Sequence, residues 1–257
     1  MATITLSDVN NDGVGVDLAS YLADFDLNFN RPTGSYGFFS ETAADFGGDQ
    51  YAFSESTSST VSGIPSTTDS VVVGSGSAGD FSYSLTSHTL NGTLDSVKFG
   101  EGLSYASSTD SFTQSVTDVA ITGLGLSGSG TGNAVHTLIY DLMGGSTSVL
   151  LNTLNAQNNT IIGTSGADTI NSFNGNDTLT GGAGSDLFVF DGTDGADTIT
   201  DFDVDEDGLD VTAWASSSFD DLSVSYSGGN AVVSYGANSI TLLNVAENTL
   251  SDLNVFA

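Results

Sequence analysis

The chain has 257 residues, 38% of them hydrophobic, which is enough for one large domain or two modest domains with a packed core. Its 32 acidic residues outnumber its 2 basic residues and give a formal net charge of −30, which excludes electrostatic binding of nucleic acid or of an anionic membrane surface. It contains no cysteine, which excludes disulfides and cysteine-based metal or redox sites.

The beginning of the chain shows no basic-then-apolar leader of the kind that directs general secretion, and no apolar run approaches the length of a membrane span. We therefore expect no membrane insertion. The opening segment MATITLS predicts a short strand. Apolar residues then recur at helical spacing and predict an amphipathic helix over Val16–Asn28, with Asp17 in its first turn, where an acid suits the helix dipole.

The loop from Asn28 to Asp49 combines glycines with five aromatic residues, Phe29, Tyr36, Phe38, Phe39 and Phe46. One interpretation is that these rings are tucked under a long loop. The other is a mobile flap lined with aromatic rings that accommodates a flat apolar ligand, since long loops are often functional. The residues alone leave both open.

The stretch Asp80–Gly102, DFSYSLTSHTLNGTLDSVKFGEG, predicts a β-hairpin followed by further strand. His88 follows Tyr83 across a four-residue turn, so the hairpin can place the two side chains within reach of each other. The imidazole can accept the phenolic proton, and a phenolate supported in this way is a ligand for ferric iron. The alternative is a half-buried tyrosine whose hydroxyl is satisfied by a neighbour.

The surrounding segments predict an antiparallel sheet with helices packed on it. Strand patterns occur over Tyr51–Phe53, Ser70–Val73, Ser111–Val116 and Val119–Leu126. Helical patterns cover Asn133–Met143 and a second segment that ends at Leu154, separated by Gly144-Gly145-Ser146. His136 and Tyr140 lie one turn apart on the first of these helices, a spacing typical of ordinary contacts, and we assign them no role.

From Asn155 onward the sequence has a nonapeptide period. Gly163–Asn171, Ser172–Thr180 and Gly181–Val189 fit the repeat G-G-x-G-x-D-x-U-x, with the aspartates Asp168, Asp177 and Asp186 and the fourth-position glycines Gly166, Gly175 and Gly184. Glycine permits the turn, and turn carbonyls and the carboxylate face a hard cation. Two nonapeptides make one coil, so we expect Asp168 and Asp186 to share a Ca²⁺ site on one side and Asp177 to face the other side with Asn159. This pattern predicts an all-β calcium β-roll.

The segment after the repeats, Asp191–Val211, resembles the one that follows such repeats in type I secreted proteins. Strand patterns over Leu222–Tyr226, Asn230–Tyr235 and Ser239–Leu243 then predict a meander around a Ser-Gly-Gly turn. The chain ends with Asp252–Ala257, an acid followed by mostly apolar residues, which looks like an uncleaved C-terminal type I export signal. This resemblance implies an extracellular protein without an N-terminal leader.

Three stretches resemble HasA-type haemophores, the secreted bacterial proteins that scavenge haem. They are QYAFSE (Gln50–Glu55), SHTLNGTLDSVKFGEGL (Ser87–Leu103) and NAVHTLIYDLMGGSTSVLLNTL (Asn133–Leu154), in the family's order and at similar spacing. The resemblance covers residues 1–155. It implies the haemophore α+β fold, ferric b-type haem as cofactor, capture of haem from host or environmental haemoproteins, and a Gram-negative outer-membrane receptor.

The family's roles fall on Tyr83 as the iron ligand and on His88 as its hydrogen-bond partner. The family's second iron ligand is a histidine before Arg-Pro, and in this chain Asn30 stands at that position. Asparagine is a poor iron ligand, so we expect an iron that is five-coordinate or capped by water or by another loop residue, with Tyr36 the nearest candidate by type. The loop from Tyr83 to His88 is also a few residues shorter than in the family.

We therefore predict two domains, a haem-binding domain over 1–157 and a calcium β-roll with the export signal over 158–257. We expect no enzyme. Its two histidines, His88 and His136, fit no HExxH zinc site, and the chain has no P-loop, G-x-S-x-G or dinucleotide motif. The leading hypothesis is an exported haem-binding protein. The alternative is a secreted calcium-binding structural or adhesive protein that keeps the haemophore fold without haem.

Overall fold

The computed structural model describes residues 1–9, 13–40, 46–76, 80–216, 218–247, 249–252 and 254–256. Within those residues the fold is α+β, mostly strand with three α-helices. Residues 41–45 of the predicted flap lie outside this description, as do Leu253 and Ala257 of the predicted export signal. None of the described helices is both long enough and apolar enough to cross a membrane.

The elements up to the third helix are β1 (Ala2–Leu6), β2 (Val14–Asp17), α1 (Leu18–Asn28), β3 (Phe38–Phe39), β4 (Gly47–Gly48), β5 (Gln50–Ser54), β6 (Asp69–Gly74), β7 (Phe81–Ser84), β8 (Thr89–Leu94), β9 (Ser96–Glu101), β10 (Ser104–Ala106), β11 (Ser111–Thr113), β12 (Val116–Thr122), β13 (Leu126–Gly128), α2 (Ala134–Met143) and α3 (Ser148–Leu154). The later strands are β14 (Asn159–Ile162), β15 (Ala167–Asn171), β16 (Thr178–Thr180), β17 (Leu187–Val189), β18 (Ala196–Ile199), β19 (Gly208–Asp210), β20 (Ser223–Ser227), β21 (Asn230–Tyr235), β22 (Asn238–Leu242) and β23 (Val255–Phe256). Short 3₁₀ helices occupy Val61–Gly63, Thr212–Trp214 and Phe219–Asp221.

The chain forms two compact units. The first, which we call the hairpin unit, is Leu22–Leu151. The second, which we call the repeat unit, combines Met1–Tyr21 with Asn152–Ala257. This division differs from the predicted boundary at 157/158, because β1 and β2 pair with strands of the repeat segment.

The hairpin unit is built on antiparallel strands. Strand β9 pairs with β12 and with β6, and β5 lies between β6 and β3. A second set runs β13-β8-β7-β4, and β10 pairs with β11 as a separate hairpin. Helix α2 contacts β8 and β13 and buries one face, Val135, Leu138, Ile139, Leu142 and Met143, at the spacing that the sequence predicted.

The repeat unit consists largely of parallel strands that alternate between two sheets. One sheet contains β14, β16, β18 and β22, and the other contains β15, β17, β19 and β23. Each of the strands β14 to β19 contributes one fully buried apolar residue: Ile161, Ile170, Leu179, Phe188, Ile199 and Leu209. The predicted meander is present as antiparallel β20, β21 and β22.

The prediction for the first helix was wrong at its N-terminal end. Val14–Asp17 is strand β2, and α1 begins at Leu18. The apolar spacing could not reveal this, because β2 is held by its parallel partner β15 from the distant repeat segment. Asp17 is not in the first helical turn but precedes the helix. The backbone N–H of Ser20 donates to the Asp17 carboxylate at 2.9 Å, and the Ser20 hydroxyl donates to it at 2.7 Å.

Candidate functional site

Strands β7 and β8 bring Tyr83 and His88 into contact. The register pairs Tyr83 with Leu90 and Ser84 with Thr89, which leaves Leu85–His88 as the turn. The Tyr83 hydroxyl lies 3.1 Å from His88 Nδ1, and the two ring centroids are 6.2 Å apart. His88 has a φ of +53°, a left-handed conformation in which histidine is more frequent than most residues. The pair can share the phenolic proton.

Helix α2 fixes the strand residue that lies opposite Tyr83. The backbone N–H of Leu90 donates to His136 Nδ1 at 3.3 Å, and the Leu90 carbonyl accepts from Asn133 Nδ2 at 2.8 Å. Asn133 also caps α2 by accepting the N–H of His136 at 3.0 Å. Sequence reasoning gave His136 no role and missed Asn133. The capping position of an asparagine before an apolar helix was the available signal.

The segment before β5 borders Tyr83 from the other side. The Phe46 carbonyl accepts the Tyr83 N–H at 2.7 Å, and the two rings are 6.5 Å apart. Strand β4 pairs Gly47 with Ser82 and so continues this contact along β7. Phe46 is 44% exposed, so it offers an aromatic surface beside the phenol.

Tyr51 is a buried phenol within electrostatic reach of Tyr83. Burial raises the pKa of Tyr51 to about 12; the Gly37 N–H and Arg31 act in the opposite direction, and Tyr83 adds to the increase. Its hydroxyl accepts the Gly37 N–H at 2.9 Å and lies 3.6 Å from Met143 Sδ. Arg31 Nε donates to the Met143 carbonyl at 3.2 Å. One of the chain's two basic residues therefore lies in this neighbourhood.

Asn30 and Tyr36, the predicted candidates for the second face of the iron, are both surface residues. Asn30 is exposed, and its backbone N–H donates to Glu55 Oε1 at 2.7 Å. Tyr36 is 78% exposed. Their side chains are accessible to an incoming group, but the contacts around Tyr83 that we describe are made by other residues.

Two aromatic residues of the predicted flap, Phe38 and Phe39, pack against the hairpin unit itself. Phe38 contacts a buried cluster that includes Ala52 and Phe112, and the Phe39 ring lies 4.9 Å from the Tyr51 ring. A cavity of about 530 Å³ adjoins them, lined by Phe38, Phe39, Ser40, Val61, Ser62, Ser104, Tyr105 and Phe112. These contacts favour the tucked interpretation for Phe38 and Phe39.

In the repeat unit the three predicted aspartates are buried and form two columns. Asp168 Oδ1 accepts from Val16 N at 2.5 Å, and Asp186 Oδ1 accepts from Asp168 N at 2.8 Å. In the other column Asp177 Oδ1 accepts the backbone N–H of Asn159 at 2.5 Å and its side-chain amide at 3.3 Å. The structure therefore groups Asp168 with Asp186, and Asp177 with Asn159.

The columns continue beyond the residues that the repeat predicted. Asp197 Oδ1 accepts from Asp177 N at 2.8 Å, 20 residues away, and Asp207 Oδ1 accepts from Asp186 N at 2.9 Å, 21 residues away. The predicted separation along a column was 18 residues, as between Asp168 and Asp186. Gly195-Ala196-Asp197 keeps the Gly-x-Asp signature, which was the signal for Asp197.

The glycines of the repeat allow the turns to stack closely. A methyl group on Gly184 would lie 2.7 Å from the Gly166 carbonyl oxygen, and one on Gly175 would lie 3.0 Å from Asn158 Oδ1. Gly175 and Gly184 also have φ values of +124° and +112°.

The repeat unit contains no lysine or arginine, since Arg31 and Lys98 belong to the hairpin unit. Burial raises the pKa of Asp186 to about 6 and that of Asp197 to about 8, and neighbouring aspartates add to both shifts. Burial also raises the pKa of Asp177. Asp194 Oδ1 and Asp197 Oδ2 are buried without a hydrogen-bond partner. Across the described ranges, no three His, Asp or Glu side chains converge as a metal-binding group, so a cation here would also need carbonyl ligands.

Comparison with known proteins identifies one family. The family model described as Heme-binding protein A (HasA) matches residues 8–186. The hemophore HasA of Serratia marcescens is 41% identical over 83 residues, which span 30% of this chain and 44% of that relative. The match thus covers less than half of the relative's length.

Solved structures resemble parts of the chain. The apo structure of the hemophore HasA from Yersinia pestis is 23% identical, covers 61% of this chain and 89% of its own, and gives a TM-score of 0.48. The AlgE6R2 subunit of the Azotobacter vinelandii mannuronan C5-epimerase is 27% identical, covers 38% of this chain and 76% of its own, and gives a TM-score of 0.33.

Proposed function

The chain belongs to the Heme-binding protein A (HasA) family, and on that premise we propose that it binds ferric haem through Tyr83 for extracellular haem acquisition. The observation that carries this proposal is the 3.1 Å contact between the Tyr83 hydroxyl and His88 Nδ1. Tyrosinate is an established axial ligand of haem iron. A bound haem would supply the ferric centre, and Tyr83 and His88 would hold it on one face.

His88 contributes by taking the proton that Tyr83 must lose when it ligates a metal. With Nδ1 as the acceptor, the imidazole receives the phenolic hydrogen bond and favours the phenolate. Asn133 and His136 hold Leu90 in register and so keep the hairpin from shifting beneath Tyr83. Phe46, with its exposed ring beside Tyr83, offers an apolar contact for the porphyrin edge. The other face of the iron would be taken by water or by a residue of the preceding loop, with Asn30 and Tyr36 as the proposed candidates.

The test is an absorption titration with hemin of the full chain and of Tyr83→Phe. The substitution removes only the hydroxyl, so the fold is kept while the iron ligand is lost. We expect affinity to fall by at least about a hundredfold, the effect of about 2.7 kcal/mol. Tyr140→Phe is the matched control, because Tyr140 is 65% exposed on α2. Superimposable curves for wild type and Tyr83→Phe would support instead a structural protein without haem.

We also propose that the repeat unit is a β-roll that binds Ca²⁺ through Asp168, Asp177 and Asp186 and through turn carbonyls at Gly166, Gly175 and Gly184. The supporting observation is the burial of these carboxylates in a unit without any basic residue. Each carboxylate oxygen that accepts one N–H retains a second lone pair for a cation. Oxygen ligands of this kind suit Ca²⁺.

Export by a type I route and an extracellular location complete the proposal, with haem acquisition as a carrier function and no enzymatic step. The proposed signal is Asp252–Ala257, of which β23 pairs with β19. Deletion of these six residues is expected to prevent appearance of the protein in the medium of a secreting bacterium, while Glu247→Gln in the same tail leaves secretion unchanged. Equal secretion of the truncated chain would contradict the assignment.

A further inference from the structure

The N-terminal strands occupy the position of a coil of the repeat unit. Strand β1 is parallel to β14, with Thr3 opposite Thr160, and β2 is parallel to β15. Strands β14 and β15 are consecutive in the chain but lie in different sheets, each followed by the next parallel strand of its sheet. Strands β1 and β2 therefore stand before β14 and β15 as those two stand before β16 and β17.

The hydrogen bonds and close contacts between coils repeat at this position. Val16 N donates to Asp168 Oδ1 at 2.5 Å, as Asp168 N donates to Asp186 Oδ1 at 2.8 Å. A methyl group on Gly166 would lie 2.8 Å from the Gly13 carbonyl oxygen, as one on Gly184 would lie 2.7 Å from the Gly166 oxygen. The segment that contains Gly13 and Val16 thus stacks on the first repeat as the first repeat stacks on the next.

One difference marks the segment as an end. The register between β2 and β15 shifts between Ala167 and Thr169. Val16, whose N–H takes the place of the Asp168 N–H, carries no carboxylate where a preceding repeat would carry its own aspartate. The Asp168 column therefore ends on a backbone N–H, without a further carboxylate. The open edge of a parallel stack exposes unpaired backbone groups, and β1 and β2 satisfy them.

We propose that strands β1 and β2, Ala2–Leu6 and Val14–Asp17, are the first coil of the repeat unit and that the hairpin unit is inserted between this coil and the second. The partner of the stack's open end is thus the N-terminal segment of the same chain. One consequence rests on the proposed calcium function. Cations that fold the stack also hold together the two chain ends of the inserted unit. Fixing those ends lowers the conformational entropy of its unfolded state, so calcium is expected to stabilise the haem-binding unit.

A cysteine cross-link in the full chain tests the coil assignment, because the protein has no cysteine of its own. Thr3→Cys with Thr160→Cys places the thiols on register partners of neighbouring strands. Thr3→Cys with Thr178→Cys is the matched control, since Thr178 pairs with Thr160 and so lies two strands from Thr3. Adjacent strands are about 4.8 Å apart and a disulfide needs Cα atoms within roughly 7 Å, so only the first pair can close.

After mild oxidation in calcium, we expect most of the first variant and little of the control to form an intramolecular disulfide, read by mass and by mobility on a non-reducing gel. Equal cross-linking of both pairs, or of neither, would overturn the coil assignment. When the oxidation is carried out in EDTA instead, the first pair is expected to form no cross-link. If it forms there, the first-coil assignment stands and the calcium dependence is refuted, so the two proposals fail separately.

Hydrogen exchange tests the coupling to the inserted unit. In the wild-type chain calcium is expected to slow amide exchange in β6 and β9 of the hairpin unit as well as in β14 and β15. Gly15→Val places side-chain atoms against Ala167 and Asp168 and is expected to remove the effect on β6 and β9 while β16 and β17 still respond. Calcium protection of β14 and β15 without any change in β6 and β9 of the wild type would contradict the coupling.

Discussion

The hairpin unit and the repeat unit build their candidate sites in opposite ways. In the hairpin unit one turn brings together two side chains, Tyr83 and His88, and a helix supports the strand beneath them. In the repeat unit no single turn forms the site, because each aspartate binds the backbone of the coil beside it. One site therefore depends on a few local contacts, and the other depends on cooperative stacking and on the charge that the stack accumulates.

Removal of calcium is expected to produce the largest difference in behaviour between the two units. The buried carboxylates of the repeat unit repel one another without a cation, so EDTA should unfold this unit and leave the Tyr83 hairpin in place. Trp214 is the chain's single tryptophan, lies in the repeat unit and is buried, with Nε1 donating to the Asp191 carbonyl at 3.0 Å. Its fluorescence should shift to the red in EDTA and return with millimolar Ca²⁺.

The same probe measures the contribution of single carboxylates. Asp186→Asn is expected to raise the calcium midpoint by at least about tenfold, since a metal-binding group is lost. Glu247→Gln removes the same charge from an exposed position in the repeat unit and should leave the midpoint unchanged. Tryptophan spectra that do not respond to EDTA would refute calcium-dependent folding.

In the hairpin unit, His88→Asn is expected to have a moderate effect. Asparagine tolerates the left-handed φ of +53° but cannot take the phenolic proton as imidazole does. Loss of this hydrogen bond should weaken hemin binding by about 1 kcal/mol, or roughly fivefold. The measurement is a hemin titration beside wild type and Tyr83→Phe. An affinity equal to that of wild type would show that His88 does not support the phenolate.

Arg31 is expected to contribute a smaller, salt-dependent part of the same affinity. Haem carries two carboxylates, and Arg31 acts electrostatically on Tyr51, which also interacts with Tyr83 of the hairpin site. Arg31→Gln should weaken hemin binding by about two- to fourfold at low salt and less at high salt, because salt screens the attraction. Lys98→Gln, which removes the only other basic residue from an exposed position on β9, is the control. Equal effects of both variants would show that Arg31 acts only through the net charge of the protein.

Local patterns predicted much of this structure. The alternation around the turn gave the Tyr83 hairpin and its partner, and the nonapeptide period gave the aspartates of two adjacent coils. The family resemblance, and not the residues alone, assigned haem to that hairpin. The repeat did not predict Asp197 and Asp207, because the coil length changes to 20 and 21 residues. This change breaks the nonapeptide period while the strands remain in register.

Contacts between distant parts of the chain could not be predicted. Val16 is apolar at a helical spacing, yet its N–H binds Asp168 Oδ1, 152 residues away. The same is true of His136, whose ring accepts the N–H of Leu90, 46 residues away. In each case the tertiary partner decides the conformation or the role of the residue. The neighbouring residues in the sequence do not identify that partner.

Substitution of Asp69 is expected to have the smallest effect. It tests in the hairpin unit the repulsion between carboxylates that we described for the repeat unit. On one side it faces Glu101 across β6 and β9, and on the other its carbonyl accepts the Glu55 N–H at 3.2 Å. Partial burial raises the pKa of Asp69, and the charges of Glu55 and Glu101 raise it further. A raised folded-state pKa means that the stability contributed by this group is present below the unfolded-state pKa and is lost as the pH rises through the folded-state pKa.

Asp69→Asn should therefore stabilise the hairpin unit slightly at pH 7 and have no such effect near pH 3, where the carboxyl is protonated in both states. Because the side chain is largely exposed, solvent screening limits the gain to a few tenths of a kcal/mol, about 1 °C in the melting temperature. Glu101→Gln should give a similar gain, and the double variant less than the sum, since each removes the same repulsion. Additive gains, or a gain that persists in 1 M salt, would show that the repulsion between Asp69 and Glu101 is not the cause.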